Sequence, residues 1–190
     1  SDMAMIIGAM GIQMVGPTLM KHGSAAQQER YLSPLLRGDE WWCQLFSEPG
    51  AGSDLSSMAT RAVLDEATGE WIVNGQKVWT SNAQYADFGI LVARTDPDVP
   101  KHAGLTYFIV DMRSPGIEVR PLVQAQGVAH FNEVFLSDVR IPAGNVVGEV
   151  GDGWNVTRTT LRSESSMISG AGQATPFTAG KSSSCLVELS

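Results

Sequence analysis

The pattern of apolar and polar positions changes twice along the 190-residue chain, and each part predicts a different kind of element. The opening segment, DMAMIIGAMGIQMVG, is apolar on every side, which favours a helix buried in a bundle. HGSAAQQERYLSPLLRGDE predicts a second helix that begins at a Ser24–Gln27 capping box and ends at Gly38. Pro34 lies in the last turn of that helix and favours an earlier end.

The middle of the chain carries short segments with strand-like patterns. EWIVNGQKVWTS predicts two strand segments joined by a type I′ hairpin turn at Asn74-Gly75. FGILVART and LTYFIVDM predict short buried strands, and GIEVRPL and NEVFLSDVRIP alternate well enough to add two more. Because no helical pattern interrupts these segments, they predict an antiparallel barrel or sandwich.

The pattern turns helical again in WNVTRTTLRSESSMI, and the residues after it predict a loop or frayed tail. The fold class expected is therefore α+β, with a central antiparallel β-barrel flanked by partial all-α segments. We expect three parts: 1–40 helical, 41–148 the β-barrel domain and 149–190 the start of a second helical domain.

The composition of the chain limits the kinds of partner and location that we expect for it. The net charge of −7 argues against nucleic acid or an anionic membrane as the main partner, but it allows a small phosphate-bearing ligand. Cys43 and Cys185 show no pairing pattern and are expected to be reduced thiols. No metal site is expected, and no apolar stretch is long enough to span a bilayer. Without a basic leader segment, we expect a cytoplasmic protein.

Two polar clusters are candidates for ligand binding. In LFSEPGAGSDLSS, Gly50 and Gly52 leave backbone N–H groups open to a ligand, and Ser47 and Ser53 add short hydroxyl groups. A turn stabilised by serine and aspartate side chains explains these residues equally well. In VWTSNA, an indole followed by hydroxyl and amide groups suits a planar heterocycle, and a core tryptophan at a polar strand end is the alternative.

An ordered set of motifs resembles the acyl-CoA dehydrogenase family, most closely its bacterial, actinobacterial-type members. The set runs from about Met3 to Ile168 and comprises SEPGAGSD, VNGQKVWTSNA, DFGILVART, FIVDMRSPGIEVRPL and NEVFLSDVRIPAGNVVGEVGDGW. The resemblance implies an N-terminal helical domain, a middle β-barrel and a C-terminal four-helix bundle. It also implies FAD, an acyl-CoA substrate converted to the trans-2-enoyl thioester in fatty acid β-oxidation, and electron-transfer flavoprotein as acceptor. Homo- or hetero-oligomers are expected.

The same resemblance implies roles for individual residues. The cofactor-binding positions would be Gln44, Phe46, Ser47, Gly52, Ser53, Trp79, Thr80 and Ser81. Ser53 would also touch the acyl-CoA substrate. Glu164, in LRSESS, matches the catalytic base of a Leu-x-x-Glu-Arg pattern, although Ser165 stands where that pattern has arginine. The alternative for Glu164 is a solvated helix glutamate.

Family members are about twice this length, so the resemblance implies an incomplete member that is weakly active or inactive alone. Two other functions stay open. One is an acyl-CoA oxidase or flavin monooxygenase of the same fold, which differs in the reaction of the flavin with oxygen. The other is a non-catalytic chain, either a partner subunit or a stable domain without flavin.

Overall fold

The structure, a computed structural model, describes residues 11–51, 54–122 and 131–171, and the side chains of the last helix to residue 166. Most of the apolar opening segment and most of the expected tail lie outside the described residues, and 169–171, expected to be loop, continue the last helix. Gly11–Val15 is a π-helical turn that runs directly into helix α1, Gly16–His22. Helix α2 is Ala25–Arg37, and helix α3 is Gly153–Ala171. None of these described helices is long and apolar enough to cross a membrane.

Local caps determine both ends of α2. Ser24 Oγ accepts a hydrogen bond from the Gln27 amide at 3.2 Å, and Gln27 Oε1 accepts one from the Ser24 amide at 3.0 Å, which confirms the predicted capping box. Gly38 ends the helix with φ 72°, as predicted. The earlier end that Pro34 favoured was wrong, because the helix continues past Pro34 to Arg37. A proline removes only the hydrogen bond of its own missing N–H. The Pro34 carbonyl still accepts a hydrogen bond, from the Asp39 amide beyond the cap.

The middle of the chain forms one sheet of seven strands in the described residues. In chain order they are β1 Trp42–Leu45, β2 Arg61–Asp65, β3 Glu70–Ser81, β4 Phe88–Arg94, β5 Leu105–Asp111, β6 Ile117–Leu122 and β7 Phe131–Pro142. Their order across the sheet is β1-β4-β2-β3-β7-β6, and β5 pairs with β4. This arrangement confirms the α+β class, with a sheet domain between helical segments.

The sheet is mixed, where the sequence predicted antiparallel pairing alone. The pairs β2–β3, β3–β7, β4–β5 and β6–β7 are antiparallel. β1 runs parallel to β4 over Trp42–Leu45, and β2 pairs with the end of β4 in the same sense through Arg61 and Arg94. A strand pattern predicts that strands exist, but their neighbours depend on how the connections cross the sheet.

The predicted hairpin turn at Asn74-Gly75 was wrong. Glu70–Ser81 is one continuous strand, and the turn between β2 and β3 lies just before it, with Gly69 at φ 71°. The strand register shifts between Val73 and Gly75, so the Asn-Gly pair marks a bulge. Gly75 is required there because a Cβ atom would lie 2.8 Å from the Thr60 Cα atom.

Alternate residues of β4 pack into two apolar cores. Leu91 and Ala93 belong to the core inside the curved sheet, with Val73, Phe108 and Val134. Ile90 and Val92 belong to a second core that also contains residues of all three helices, Leu19, Leu35 and Val156. The alternation of β4 therefore places the helices against one face of the β1–β4–β5 part of the sheet.

Candidate functional site

The structure brings the two polar clusters together. The loop that follows β1 lies beside the end of β3, and the Val78 amide donates a hydrogen bond to the Ser47 carbonyl at 2.9 Å. Segments that are thirty residues apart in sequence therefore meet at neighbouring positions. Gly52 and Ser53 lie outside the described residues, so the part of the site predicted for them has no structural account.

The first half of the site comes from the end of β1. Gln44 and Ser47 are partly exposed, whereas Phe46 is buried and packs edge-on against Tyr107 with 5.9 Å between ring centroids. Ser47 is thus the accessible hydroxyl at this point, and Phe46 offers its backbone. Their roles in cofactor binding stay predictions.

The second half comes from an irregular stretch of β3. Trp79 has a left-handed backbone, with φ 58°, and its side chain is 61% exposed although it packs edge-on against Phe131. The register with β7 shifts here, between Lys77 and Thr80. A bulky residue with positive φ is uncommon and costs free energy, so such positions are candidates for function.

The two residues after Trp79 differ in exposure. Thr80 is buried, and its Oγ1 atom has no hydrogen-bond partner among the described residues. The Thr80 carbonyl accepts a hydrogen bond from Asn132 Nδ2 at 3.0 Å, which fixes the backbone of β3 against β7. Ser81 is partly exposed and lies opposite Phe131. A buried hydroxyl without a hydrogen-bond partner is rare, and a polar group of a ligand can supply the missing partner.

A buried ion pair lies directly behind the site, between Glu48 and Lys77. Lys77 is fully buried, and its Nζ atom lies 2.8 Å from Glu48 Oε1. Burial lowers the pKa of Lys77 to about 8, and the Glu48 carboxylate opposes that shift. Burial alone would raise the pKa of Glu48, but Lys77 and the hydrogen bonds from Thr60 and Ala59 lower it overall.

Neither residue of this pair was predicted as part of a site. The signal that could have identified Lys77 lies in the alternation of β3, because Trp71, Val73 and Lys77 occupy odd positions and all are buried. A lysine on the inward face of a strand needs a partner for its charge. The sequence does not indicate which carboxylate provides it.

The remaining hydroxyl groups of the loop stabilise a local turn. Asp54 accepts hydrogen bonds from the Ser56 amide and hydroxyl and from the Ser57 hydroxyl, and these bonds hold the pKa of Asp54 well below its usual range. Lys101 Nζ donates to Asp54 at 3.3 Å, and Arg94 donates to the Ser56 carbonyl at 2.6 Å. The segment LFSEPGAGSDLSS thus ends in a turn around Asp54, and its beginning, around Ser47, is a candidate ligand site.

Glu164 lies on α3, one helical turn after the buried Thr160. It is partly exposed, and burial raises the pKa of its carboxyl group. No hydrogen bond or ion pair joins it to Ser47 or to Trp79–Ser81 within the described part of the chain. Its role as a base stays a prediction.

The cysteines and the metal-binding side chain types are the other groups to consider. Cys43 is buried on β1, and burial raises the pKa of its thiol to about 12, so it is held as an unreactive thiol. Cys185 lies outside the described residues. Within residues 11–51, 54–122 and 131–171, no three His, Cys, Asp or Glu side chains are grouped to hold a metal ion.

Comparison with known proteins identifies relatives of this chain. Residues 43–139 match the family model described as "Acyl-CoA dehydrogenase, middle domain". The chain is 54% identical over 162 residues to the acyl-CoA dehydrogenase FadE34 of Mycobacterium tuberculosis, covering 85% of this chain and 22% of that protein. It is 45% identical over 183 residues to IpdE1 of the same organism, covering 96% of this chain and 46% of the relative.

A solved structure resembles the fold of this chain over most of its length. The ChsE4–ChsE5 complex from Mycobacterium tuberculosis matches with a TM-score of 0.75 and 37% identity, covering 82% of this chain and 40% of that one. The chain thus spans less than half the length of the two curated relatives that it matches. The family-model match begins at Cys43 on β1 and extends to Val139 on β7, so it includes both polar clusters.

Proposed function

Because the chain belongs to the acyl-CoA dehydrogenase family, we propose that the protein binds FAD and converts an acyl-CoA thioester to the trans-2-enoyl-CoA. The chain spans less than half the length of these two relatives, so this activity is a proposal. We assign 1–40 to the end of an N-terminal helical domain, 41–148 to the flavin-binding β-domain and 149–190 to the start of a C-terminal helical domain.

The observation that carries this proposal is the contact between the two polar clusters, through the Val78 amide and the Ser47 carbonyl. The residues fit a planar, hydrogen-bonding cofactor in two respects. Trp79 presents an exposed indole from a left-handed backbone, and Thr80 has a buried hydroxyl without a partner among the described residues. Both features are costly in a strand without a ligand, and both suit an aromatic ring with polar edges.

The residues proposed to hold FAD are Gln44, Phe46, Ser47, Gly52, Ser53, Trp79, Thr80 and Ser81. Their hydroxyl, amide and backbone groups bind and orient the ring, and the Trp79 indole excludes water from one side of it. Bound FAD supplies an acceptor for the two electrons that leave with the β-hydrogen of the substrate. Ser53 is proposed to contact the acyl-CoA as well.

Glu164 is the proposed base that removes the α-proton of the substrate. Burial raises the pKa of this carboxyl group, which makes the carboxylate a stronger base than an exposed glutamate. A second candidate function is a non-catalytic partner subunit. The similar ChsE4–ChsE5 structure is a complex of two proteins, and this supports proposing a homo- or hetero-oligomer.

Reduced flavin needs an electron acceptor, and electron-transfer flavoprotein is the acceptor proposed. If dioxygen accepts the electrons instead, the protein is an oxidase or monooxygenase of the same fold. Oxygen consumption in the presence of acyl-CoA distinguishes these outcomes. We propose a cytoplasmic location for the reaction.

The test of the proposed function combines cofactor binding with substrate reduction. The chain is mixed with FAD, and the visible flavin spectrum is recorded before and after anaerobic addition of butyryl- to palmitoyl-CoA. A protein-bound flavin band is expected, and because the chain is proposed to be weakly active alone, one of these substrates is expected to bleach it slowly. Glu164→Gln is expected to keep the band and to slow bleaching on the order of 100-fold or more, because the base is lost.

A matched control for this test is Glu118→Gln, which removes an exposed carboxylate on β6 that pairs with Arg120. Its bleaching rate is expected to equal that of the unchanged chain. A chain that never binds FAD contradicts the proposed enzyme and favours the non-catalytic subunit. Bleaching that Glu164→Gln leaves unchanged removes Glu164 from the role of base.

A further inference from the structure

We propose that the buried Glu48–Lys77 ion pair is a positioning device that holds the two halves of the proposed cofactor site at a fixed distance. The part of this inference that concerns FAD binding rests on the proposed function. It assigns a role to two residues that do not themselves face the exposed site. Glu48 follows Ser47 on the first half, and Lys77 precedes Val78 and Trp79 on the second.

Lys77 Nζ connects three separate parts of the sheet. It donates to Glu48 Oε1 at 2.8 Å, to the Val92 carbonyl of β4 at 2.8 Å and to the Phe46 carbonyl at 3.3 Å. An ammonium group has three donors, enough for these three oxygen atoms, and Met58 Sδ lies near by at 3.9 Å. The side chain thus ties β3 to β4 and to the end of β1 from within the core.

Glu48 extends the same connection to the far end of the loop. Its Oε2 atom accepts from the Ala59 amide at 2.5 Å, and its Oε1 atom accepts from the Thr60 amide at 3.0 Å. The carboxylate therefore closes the loop between Glu48 and Ala59, so that both of its ends are held against Lys77. Every oxygen of this buried carboxylate has a partner, which a stable buried charge requires.

The pair acts where the backbone is irregular. Next to it the Val78 amide bonds the Ser47 carbonyl, and the register of β3 shifts so that Trp79 takes its left-handed conformation. A regular ladder would fix the spacing of two strands by itself. The end of β1 shares no ladder with β3 in the described residues, because β1 pairs with β4 and the interrupted ladder joins β3 to β7. The ion pair therefore supplies a restraint, beside the Val78–Ser47 hydrogen bond, that sets Ser47 relative to Trp79.

An apolar pair of similar volume can often replace a buried ion pair without loss of core stability. Here it would also leave the Ala59 and Thr60 amides and the Phe46 and Val92 carbonyls without these partners, which costs free energy for each buried group. The loop therefore depends on the directional bonds of the charged pair. This dependence makes positioning separable from folding by experiment.

The experiment compares Glu48→Leu/Lys77→Met with the unchanged full chain, because this change removes every donor and acceptor of the pair, whereas removal of one charge alone leaves the other buried and unpaired. Hydrogen exchange is measured without cofactor at the amides of Ala59, Thr60 and Val78, with Phe108 in the β4–β5 ladder as the internal reference. Exchange at the first three is expected to accelerate on the order of tenfold or more while Phe108 stays protected. Glu118→Gln, which removes an exposed carboxylate, is expected to alter none of them.

In a second measurement, flavin fluorescence gives the FAD dissociation constant of the same three proteins. The double variant is expected to bind FAD at least about tenfold more weakly, and Glu118→Gln as tightly as the unchanged chain. Unchanged exchange at Ala59, Thr60 and Val78, or unchanged FAD affinity beside faster exchange, overturns the inference. If the unchanged chain binds no FAD, the proposed function fails, whereas the exchange measurement still decides whether the pair orders the loop.

Discussion

Cys43 is the residue whose chemistry the fold changes most directly. It lies on β1 against β4, with its side chain in the core inside the sheet. Because the thiolate would be a charge without a partner in that core, burial raises the pKa of the thiol to about 12. The sequence alone suggested a reduced thiol, but only the position on β1 explains why it would be inert.

We therefore expect Cys43 to resist alkylation by iodoacetamide in the folded chain at pH 8. The thiolate fraction at that pH is small, and the reagent has no access to a buried side chain. Mass spectrometry of the Cys43 peptide measures the labelling and separates it from Cys185. The same chain in guanidinium chloride is the control, and it should label rapidly. Labelling of the folded chain at the rate of the unfolded one would contradict this burial.

At the scale of elements, β3 is the part of the fold that carries the most local departures from regular geometry. It has two register shifts with β7, at Gly75 and before Thr80. Each shift bends the strand and re-aims the side chains near it, as bulges do beside binding sites. The first brings β3 close to Thr60, and the second turns Trp79 outward.

Gly75→Ala should destabilise the chain by about 1–3 kcal/mol, because the new Cβ atom overlaps Thr60. A Cβ atom on Gly50 meets nothing within 4 Å, so Gly50→Ala should change stability by no more than about 0.5 kcal/mol. Urea unfolding followed by tryptophan fluorescence measures both. Equal midpoints for the two variants would show that β3 does not approach Thr60 as closely as described.

Local chemistry explains which elements could be predicted from the sequence. The capping box of α2 and the apolar run of β5 depend on residues within one segment, and both were predicted. Asn74-Gly75 was misread because the same two residues suit a turn and a bulge, and only the contact with Thr60 distinguishes them. The Glu48–Lys77 pair could not be predicted, since Lys77 lies on β3 and Glu48 in the loop after β1, and no local pattern brings them together.

The same distinction applies to the candidate site. Its two polar clusters were visible as residue types, and the structure adds that they touch through Ser47 and Val78. The left-handed backbone of Trp79 and the unpartnered hydroxyl of Thr80 depend on pairing with β7, which no local pattern specifies. The role of Glu164 depends on how α3 lies against the rest of the molecule.

At the scale of the whole molecule, buried hydroxyl groups join the helices to the sheet. Thr160 Oγ1 on α3 lies 2.8 Å from Thr18 Oγ1 on α1 and 3.0 Å from Tyr107 Oη on β5. All three residues are buried. The cluster therefore connects the beginning, middle and end of the described chain, and it holds the helix on which Glu164 lies.

Tyr107→Phe should destabilise the chain by about 0.5–1.5 kcal/mol, because it removes one buried hydrogen bond and leaves the ring in place. Tyr85→Phe is the matched control, since Tyr85 is 52% exposed, and it should have little effect. Thermal unfolding followed by circular dichroism measures both. A Tyr107→Phe variant as stable as the control would mean that the hydroxyl cluster adds nothing to the docking of α3.

The parallel pairing of β1 with β4 has a consequence for the rate at which the chain folds. β1 meets β4 only after the chain has passed through the whole of β2 and β3, so this contact closes a long loop. Hairpins such as β2–β3 and β4–β5 close much shorter loops and form first. High contact order slows folding, so we expect β1 to join the sheet late. The loop that follows β1 is then expected to be among the last segments to become ordered as the chain folds.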